Sequence, residues 1–223
     1  MNMNSWTPCQ RPGVAILKGR QVTLELLDWA RHGPALFTAV GGDGNTDIWR
    51  YMPIGPFADY ESFQRVLDRS RADQQWETMV ILDMAGIVRG MASYMRIREA
   101  QGSVEIGCVA FAHQLQRTTA ATEALKLMAA HVFDDLGYRR YEWKCNNANL
   151  ASKRAAERFG FAFEGIFRND MVVKGENRDT AWYSIIDTEW PHLRAVLDAW
   201  LAPENFDADG RRRQTLENIR LGC

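Results

Sequence analysis

The chain has 223 residues, 46% apolar and 25% charged, a globular balance that excludes a disordered or collagen-like protein. Lys plus Arg is 27 and Asp plus Glu is 28, so at a net charge of −1 no global field draws it to nucleic acid or an anionic membrane. Its four cysteines, Cys9, Cys108, Cys145 and Cys223, are scattered without a CxxC pair, which excludes a disulfide framework or zinc cluster and fits reduced thiols. Residues 1–13 have no apolar signal-peptide core, and no apolar run approaches the roughly 18 residues that span a bilayer. The expectation is a cytoplasmic protein with no metal, nucleic-acid or membrane partner.

Residues 20–27 alternate in hydropathy and predict a first strand. Asp28 caps a helix running to about Val40. Residues 41–45 (GGDGN) predict a loop, and residues 48–52 a turn of helix and an aromatic loop before Pro53 and Pro56. Asp59 caps a second helix, with Phe63, Val66 and Leu67 at helical spacing. Residues 76–83 and 87–98 predict a hairpin around a turn at 84–86, and residues 104–111 a third strand. After Thr118 and Thr119 the period becomes helical: Ala121, Ala124, Leu125, Met128, Ala129, Val132 and Phe133 form one stripe that ends at Gly137. A strand at 140–145 and a helix from Asn149 to Gly160 follow, then strands at 161–171 and 178–186 around a turn at 174–177. Residues 190–201 predict a last helix, and residues 203–223 a polar tail or a docked helix.

At about 100–200 residues per domain, the length allows one large domain or two small ones. No linker or repeat divides it, so the expectation is one α/β domain with a mixed sheet over residues 13–201, a lead at 1–12 and an extension at 202–223.

Local chemistry concentrates between Cys108 and Glu123. A strand ends there, and a helix opens on the small residues Thr118, Thr119, Ala120 and Ala121. Free N–H groups and the positive end of the helix dipole make this a place for a phosphate. It is neither a P-loop nor a dinucleotide fingerprint. Thr also caps helices well and Ala favours them, so on local chemistry alone the plain structural reading stands.

The ordered set of motifs resembles the GNAT superfamily of N-acetyltransferases, and most closely the branch of ribosomal-protein N-terminal acetyltransferases. Glu105 to Gly107 (EIG) sits in the strand that the family uses to receive the acyl thioester. Residues 116–124 (QRTTAATEA) are similar to its pyrophosphate loop followed by T-E-A. Asn149 to Ser152 (NLAS), Arg158 to Phe161 (RFGF) and Phe163 to Gly165 (FEG) follow in family order. Residues 171–175 (MVVKG) with 178–184 (RDTAWYS) match the closing hairpin, and residues 49–53 (WRYMP) one subgroup. The resemblance covers residues 17–188.

It implies a mostly antiparallel sheet with a V-shaped split, helices on both faces, and direct acetyl transfer from acetyl-CoA to an amine. Cys108, Val109 and Ala110 would face the pantetheine arm, with N–H groups near Val109 polarising the thioester carbonyl. Gln116, Arg117, Thr118, Thr119, Ala120, Ala121 and Thr122 would hold the pyrophosphate, and Asn149 the arm. Glu105 is the first candidate for the base, with Asp170 and Asp179 as alternates. Ser152 would donate a hydrogen bond to the leaving thiolate. Trp49, Tyr51 and Asp179 would line the acceptor pocket. Glu164 reads as a structural hydrogen-bonding residue, and Glu123 as a first-turn carboxylate that supports its helix. The acceptor is a small-molecule amine or a protein N-terminus, and a homodimer is one assembly open to the protein.

Two departures stand out. Thr119 replaces a usual Gly, and either crowds a diphosphate or bonds it. Ala156 stands seven positions after the Asn, where many members carry a Tyr acid. Together they keep open a non-catalytic CoA-binding or regulatory module, while a longer acyl donor is a third reading. Cys108 is expected to be a packing thiol rather than an acyl carrier. His32, His113 and His192 are expected at surface or loop positions and His131 on a helix, none of them catalytic. Residues 211–213 (RRR) are expected to be a solvated run.

Overall fold

Four of the helices begin at a residue whose side chain takes up a free backbone N–H. In the computed structural model, which describes residues 6–13 and 16–222, Asp28 Oδ1 accepts from Ala30 N at 2.9 Å and opens α1 (Trp29–Val40). Asp59 Oδ1 accepts from Ser62 N at 2.8 Å and opens α2 (Tyr60–Gln74). Thr118 and Asn149 do the same for α3 (Thr119–Ala130) and α4 (Leu150–Phe159). α3 runs into a single π-turn, His131–Asp135. Gly160 takes φ 112° to close α4.

The strands are β1 (Leu17–Lys18), β2 (Val22–Leu26), β3 (Glu77–Asp83), β4 (Val88–Arg98), β5 (Ser103–Phe111), β6 (Arg140–Asn146), β7 (Ala162–Val173) and β8 (Glu176–Ile186). They form one sheet in the order β1-β2-β3-β4-β5-β6-β8-β7. Every neighbouring pair is antiparallel except β5 and β6. That parallel pairing runs from Ser103 opposite Arg140 to Ile106 opposite Trp143 and stops there. β5 continues five residues further and β6 three, so the sheet divides between them as the resemblance implies.

Alternation along the central strands builds two cores. Met79 and Ile81 of β3, and Ala92 and Tyr94 of β4, join a large cluster with residues of α3, α4 and α5 (Trp190–Leu201). Val80, Met91 and Met95 point the other way, into a second cluster with α1 and α2. No residue of β6, β7 or β8 belongs to that second cluster, so their side on that face has no helix over it.

The structure changes several details of the sequence reading. Part of the expected loop at 41–45 lies in a 3-10 segment, Asp43–Trp49. The β7–β8 turn is tighter than residues 174–177: only Lys174 and Gly175 connect the strands, at φ 53° and 80°, the positive pair of a type I′ hairpin. The polar stretch after Pro203 contains a docked helix, α6 (Leu216–Gly222), whose Leu216 and Ile219 are buried in the large cluster. Cys223 and residues 1–5 of the lead lie outside the described residues.

Candidate active site

The split is shaped by a bulge. β4 and β5 pair Met91 with Ala110 and Ser93 with Gly107, which leaves Cys108 and Val109 together opposite Ala92. Cys108 takes φ 46° to make the bulge. Such an extra residue turns backbone groups out of the ladder, and here it does so on the lip of β5 beyond the last parallel pair. Burial pushes the Cys108 thiol up to about 12, so it stays protonated and is a poor nucleophile. Ala110 is fully buried in the second cluster, which leaves only its backbone for any contact with a ligand.

Past the end of β5, the turn before α3 leaves three amides free. The N–H groups of Arg117, Thr119 and Ala120 bond to nothing among the described residues. Arg117 takes φ 61°. Two amides expected in this cradle are occupied: Thr118 N donates to Leu115 O at 3.3 Å, and Ala121 N to Thr118 Oγ1 at 3.1 Å. Three expected side chains also turn elsewhere. Gln116 Nε2 donates to Phe111 O at 2.9 Å, Thr119 Oγ1 to Gln21 Oε1 at 2.6 Å, and the buried Thr122 Oγ1 accepts from Arg158 at 3.2 Å. The Thr119 hydroxyl thus spends its proton within the protein rather than on a phosphate. Glu123 is not in the first turn. It is buried, and accepts from the backbone N–H groups of Arg20, Gln21 and Val22, tying α3 to the start of β2.

The other lip belongs to β6 and α4. Asn149 Oδ1 accepts from Ser152 N at 3.1 Å, so this side chain caps its own helix. Ser152 Oγ accepts from Trp143 Nε1 at 2.9 Å and so sits beside the last paired residue of β6. Ala156, where many family members carry a Tyr, is fully buried.

On the face without helix cover lies a network of charge. Glu105 and Glu142 stand opposite each other on β5 and β6, and both are buried. Lys144 Nζ bridges them, at 2.9 Å from Glu105 and 2.7 Å from Glu142. Arg96 holds Glu105 at 2.5 Å, while Arg98 and Arg140 each hold Glu142 at 2.8 Å. Burial pushes the Glu142 carboxyl up, but the hydrogen bonds from Lys144 and Arg140 outweigh it, and the group lies below its ordinary range. Arg140 also forks onto Glu164, which accepts from Ser184 as well, in the structural role expected of it. The Trp182 ring covers Lys144 Nζ at 3.8 Å and packs against Phe167 at 4.5 Å.

Sequence reasoning missed Lys144, Arg96, Arg98 and Arg178. The alternation of β6, Glu142 and Lys144 on one face, was a signal for the first. Nothing local marked the arginines.

Three candidates for the acceptor side fare differently. Trp49 is corrected: it is fully buried, donates Nε1 to Val40 O at 2.6 Å and packs on Phe57 and Phe63, so it builds the second core. Tyr51 is half-buried under the Arg50 guanidinium. Asp179 Oδ1 accepts from Asn169 N at 2.8 Å and Asn177 Nδ2 at 3.0 Å, which hold its carboxyl below the ordinary range and spend it on the hairpin. Asp170 is exposed on β7. His32 is also corrected: it is buried in α1, where its Nδ1 accepts from Asp28 N.

The mixed sheet thus splits beside a parallel pair, with free amides at its mouth and carboxylates within. The chain belongs to the GNAT acetyltransferase family: residues 22–162 match the family model described as "Acetyltransferase (GNAT) domain". It is similar to the crystal structure of a GCN5-related N-acetyltransferase from Brucella melitensis, with 46% identity, a TM-score of 0.92 and coverage of 98% of this chain and 99% of that one. A GNAT-family acetyltransferase structure from Chromobacterium violaceum shares 40% identity at a TM-score of 0.80, covering 85% and 94%. The Bacillus subtilis protein YdaF, whose name as a ribosomal N-acetyltransferase is itself provisional, is 28% identical over 105 residues. That match spans 47% of this chain and only 57% of YdaF. Among the described residues no helix is long and apolar enough to cross a membrane.

Proposed function

We propose that this protein is an acetyl-CoA-dependent N-acetyltransferase that passes the acetyl group directly to a primary amine, on a small molecule or a protein N-terminus. One observation carries the reading: the three unbonded amides of Arg117, Thr119 and Ala120 stand at the open end of a split whose β5 lip carries Glu105. The amides fit a pyrophosphate, and the bulge at Cys108–Val109 fits a thioester beside β5. When bound, acetyl-CoA supplies the activated acyl group.

The chain's own residues do the rest. The Val109 N–H polarises the thioester carbonyl and holds the oxyanion that develops on attack. Glu105 takes the proton from the ammonium, through water, so that a neutral amine can attack. The Ser152 hydroxyl, oriented by Trp143, donates to the departing thiolate. Asp170 is the alternate base. On this reading the protein works in the cytoplasm without a metal.

Calorimetric titration with acetyl-CoA tests the proposal, and the absence of binding would sink it. Glu105→Gln should lower kcat by about 10²-fold, the scale of lost general-base catalysis. An unchanged rate moves the role to Asp170. Thr119, a bulky residue in the cradle, favours a second reading as a non-catalytic CoA-binding module. Binding of CoA with no turnover over a broad panel of amines would support it. Comparing acetyl-, propionyl- and succinyl-CoA distinguishes a longer acyl donor.

A further inference from the structure

Among the described residues, the face without helix cover holds a buried cation that has no ionic partner, Arg178. Arg178 lies on β8 and is nine-tenths buried. It shares a side of the strand with Thr180 and with Trp182, which covers Lys144. Its Nε donates to Thr180 Oγ1 at 3.2 Å, which fixes one edge of the guanidinium plane. The two terminal nitrogens bond to nothing among the described residues. Carboxylates are at hand, but they are taken: Glu105 by Arg96 and Lys144, Glu142 by Lys144, Arg98 and Arg140, Glu164 by Arg140. The buried Lys144 of the same face has two carboxylates; Arg178 has none.

Its electrostatic neighbours come from both lips of the split. Burial pulls its pKa down; Cys145, Glu105 and Asp170 act the other way, and Arg96 adds to the fall. A mostly buried guanidinium whose terminal nitrogens meet solvent rather than a counter-ion gains when that counter-ion arrives with a ligand. The free edge of the fork matches the two oxygens of a carboxylate. Glu105 and Asp170 nearby work against a dianion, so a carboxylate fits better than a phosphate.

We propose that Arg178 receives a carboxylate carried by the acceptor, so that the substrate is an amino-acid-like molecule bearing both an amine and a carboxylate. This deepens the N-acetyltransferase reading and rests on it. Arg178 anchors the acid end, which leaves the amine end for the facing lip of the split.

The test uses product-like probes, so it does not wait on the natural acceptor. Wild-type protein saturated with CoA is titrated calorimetrically with the N-acetyl derivatives of the common amino acids and with their amides. At least one acid should bind more tightly than its matched amide, by about tenfold or more, since the charge-assisted pair is lost with the amide. Arg178→Gln should abolish that preference while leaving the affinity for acetyl-CoA unchanged. Arg178→Lys, which keeps the charge but not the fork, should retain part of it and serves if the glutamine variant does not fold by circular dichroism. Equal binding of acids and amides, no binding by any probe, or a preference that survives Arg178→Gln each overturns the proposal. Loss of acetyl-CoA binding by the wild type instead brings down the acetyltransferase reading itself.

Discussion

Lys144 holds together two carboxylates that would otherwise repel each other across neighbouring strands. Glu105 and Glu142 are directly opposed in the parallel pair, a position where like charges destabilise a sheet. Lys144→Met would leave both buried with less positive charge, and should cost about 3–5 kcal/mol by urea denaturation at neutral pH. The penalty should depend on pH. Glu142 lies below its ordinary value in the folded state, so its stabilisation is present above the unfolded carboxylate range and is lost as pH falls through the folded value. The gap between wild type and Lys144→Met should therefore narrow as pH is lowered toward about 4. A constant gap would show that the ion pairs contribute little and that the loss is one of packing.

Helix and strand positions were legible because caps and periods agree. Asp28, Asp59, Thr118 and Asn149 each open a helix in the manner that their side chains suggest. The candidate site was less legible, because a residue type near a loop does not say which way its side chain turns. Trp49 before a proline-containing loop suits a pocket wall as well as a core, and only the Val40 carbonyl within reach of its indole decides for the core. Thr119, Thr122 and Glu123 each satisfy partners 36 or more residues away, which no local pattern announces. The same holds for α6, where Leu216 and Ile219 are buried while Leu221 is exposed. Leu216→Ala should cost about 2–4 kcal/mol in thermal or chemical denaturation, the scale of a truncated core leucine. A change within about 0.5 kcal/mol would mark it as a surface position.

At the scale of the molecule, helices close one face of the sheet over its width and the other over only part of it. The first cluster draws on every strand from β1 to β8 except β7, and seals what it covers. The second ends at β5, and beyond it ionic side chains replace a helix as the cover. The two edges of that face meet where Lys174, at the tip of the β7–β8 hairpin, donates to Trp49 O at 2.7 Å. An acceptor approaching the split from this side is bounded by two segments far apart in the chain, the loop at 49–52 and the hairpin tip.

β7 ends the sheet, and among the described residues no strand pairs with its other edge. It is long and bears the exposed Phe163, Ile166, Phe167 and Val172, the features that invite another chain to add on as a further strand. Its register against β8 is broken between Phe167 and Met171, with Asn169 at φ 52°. The break that Asp179 pins in place therefore has a second effect: with the further register shift between Phe163 and Gly165, it divides the strand into short runs. Broken in this way, the edge offers no long flat template of the kind on which edge-to-edge pairing grows.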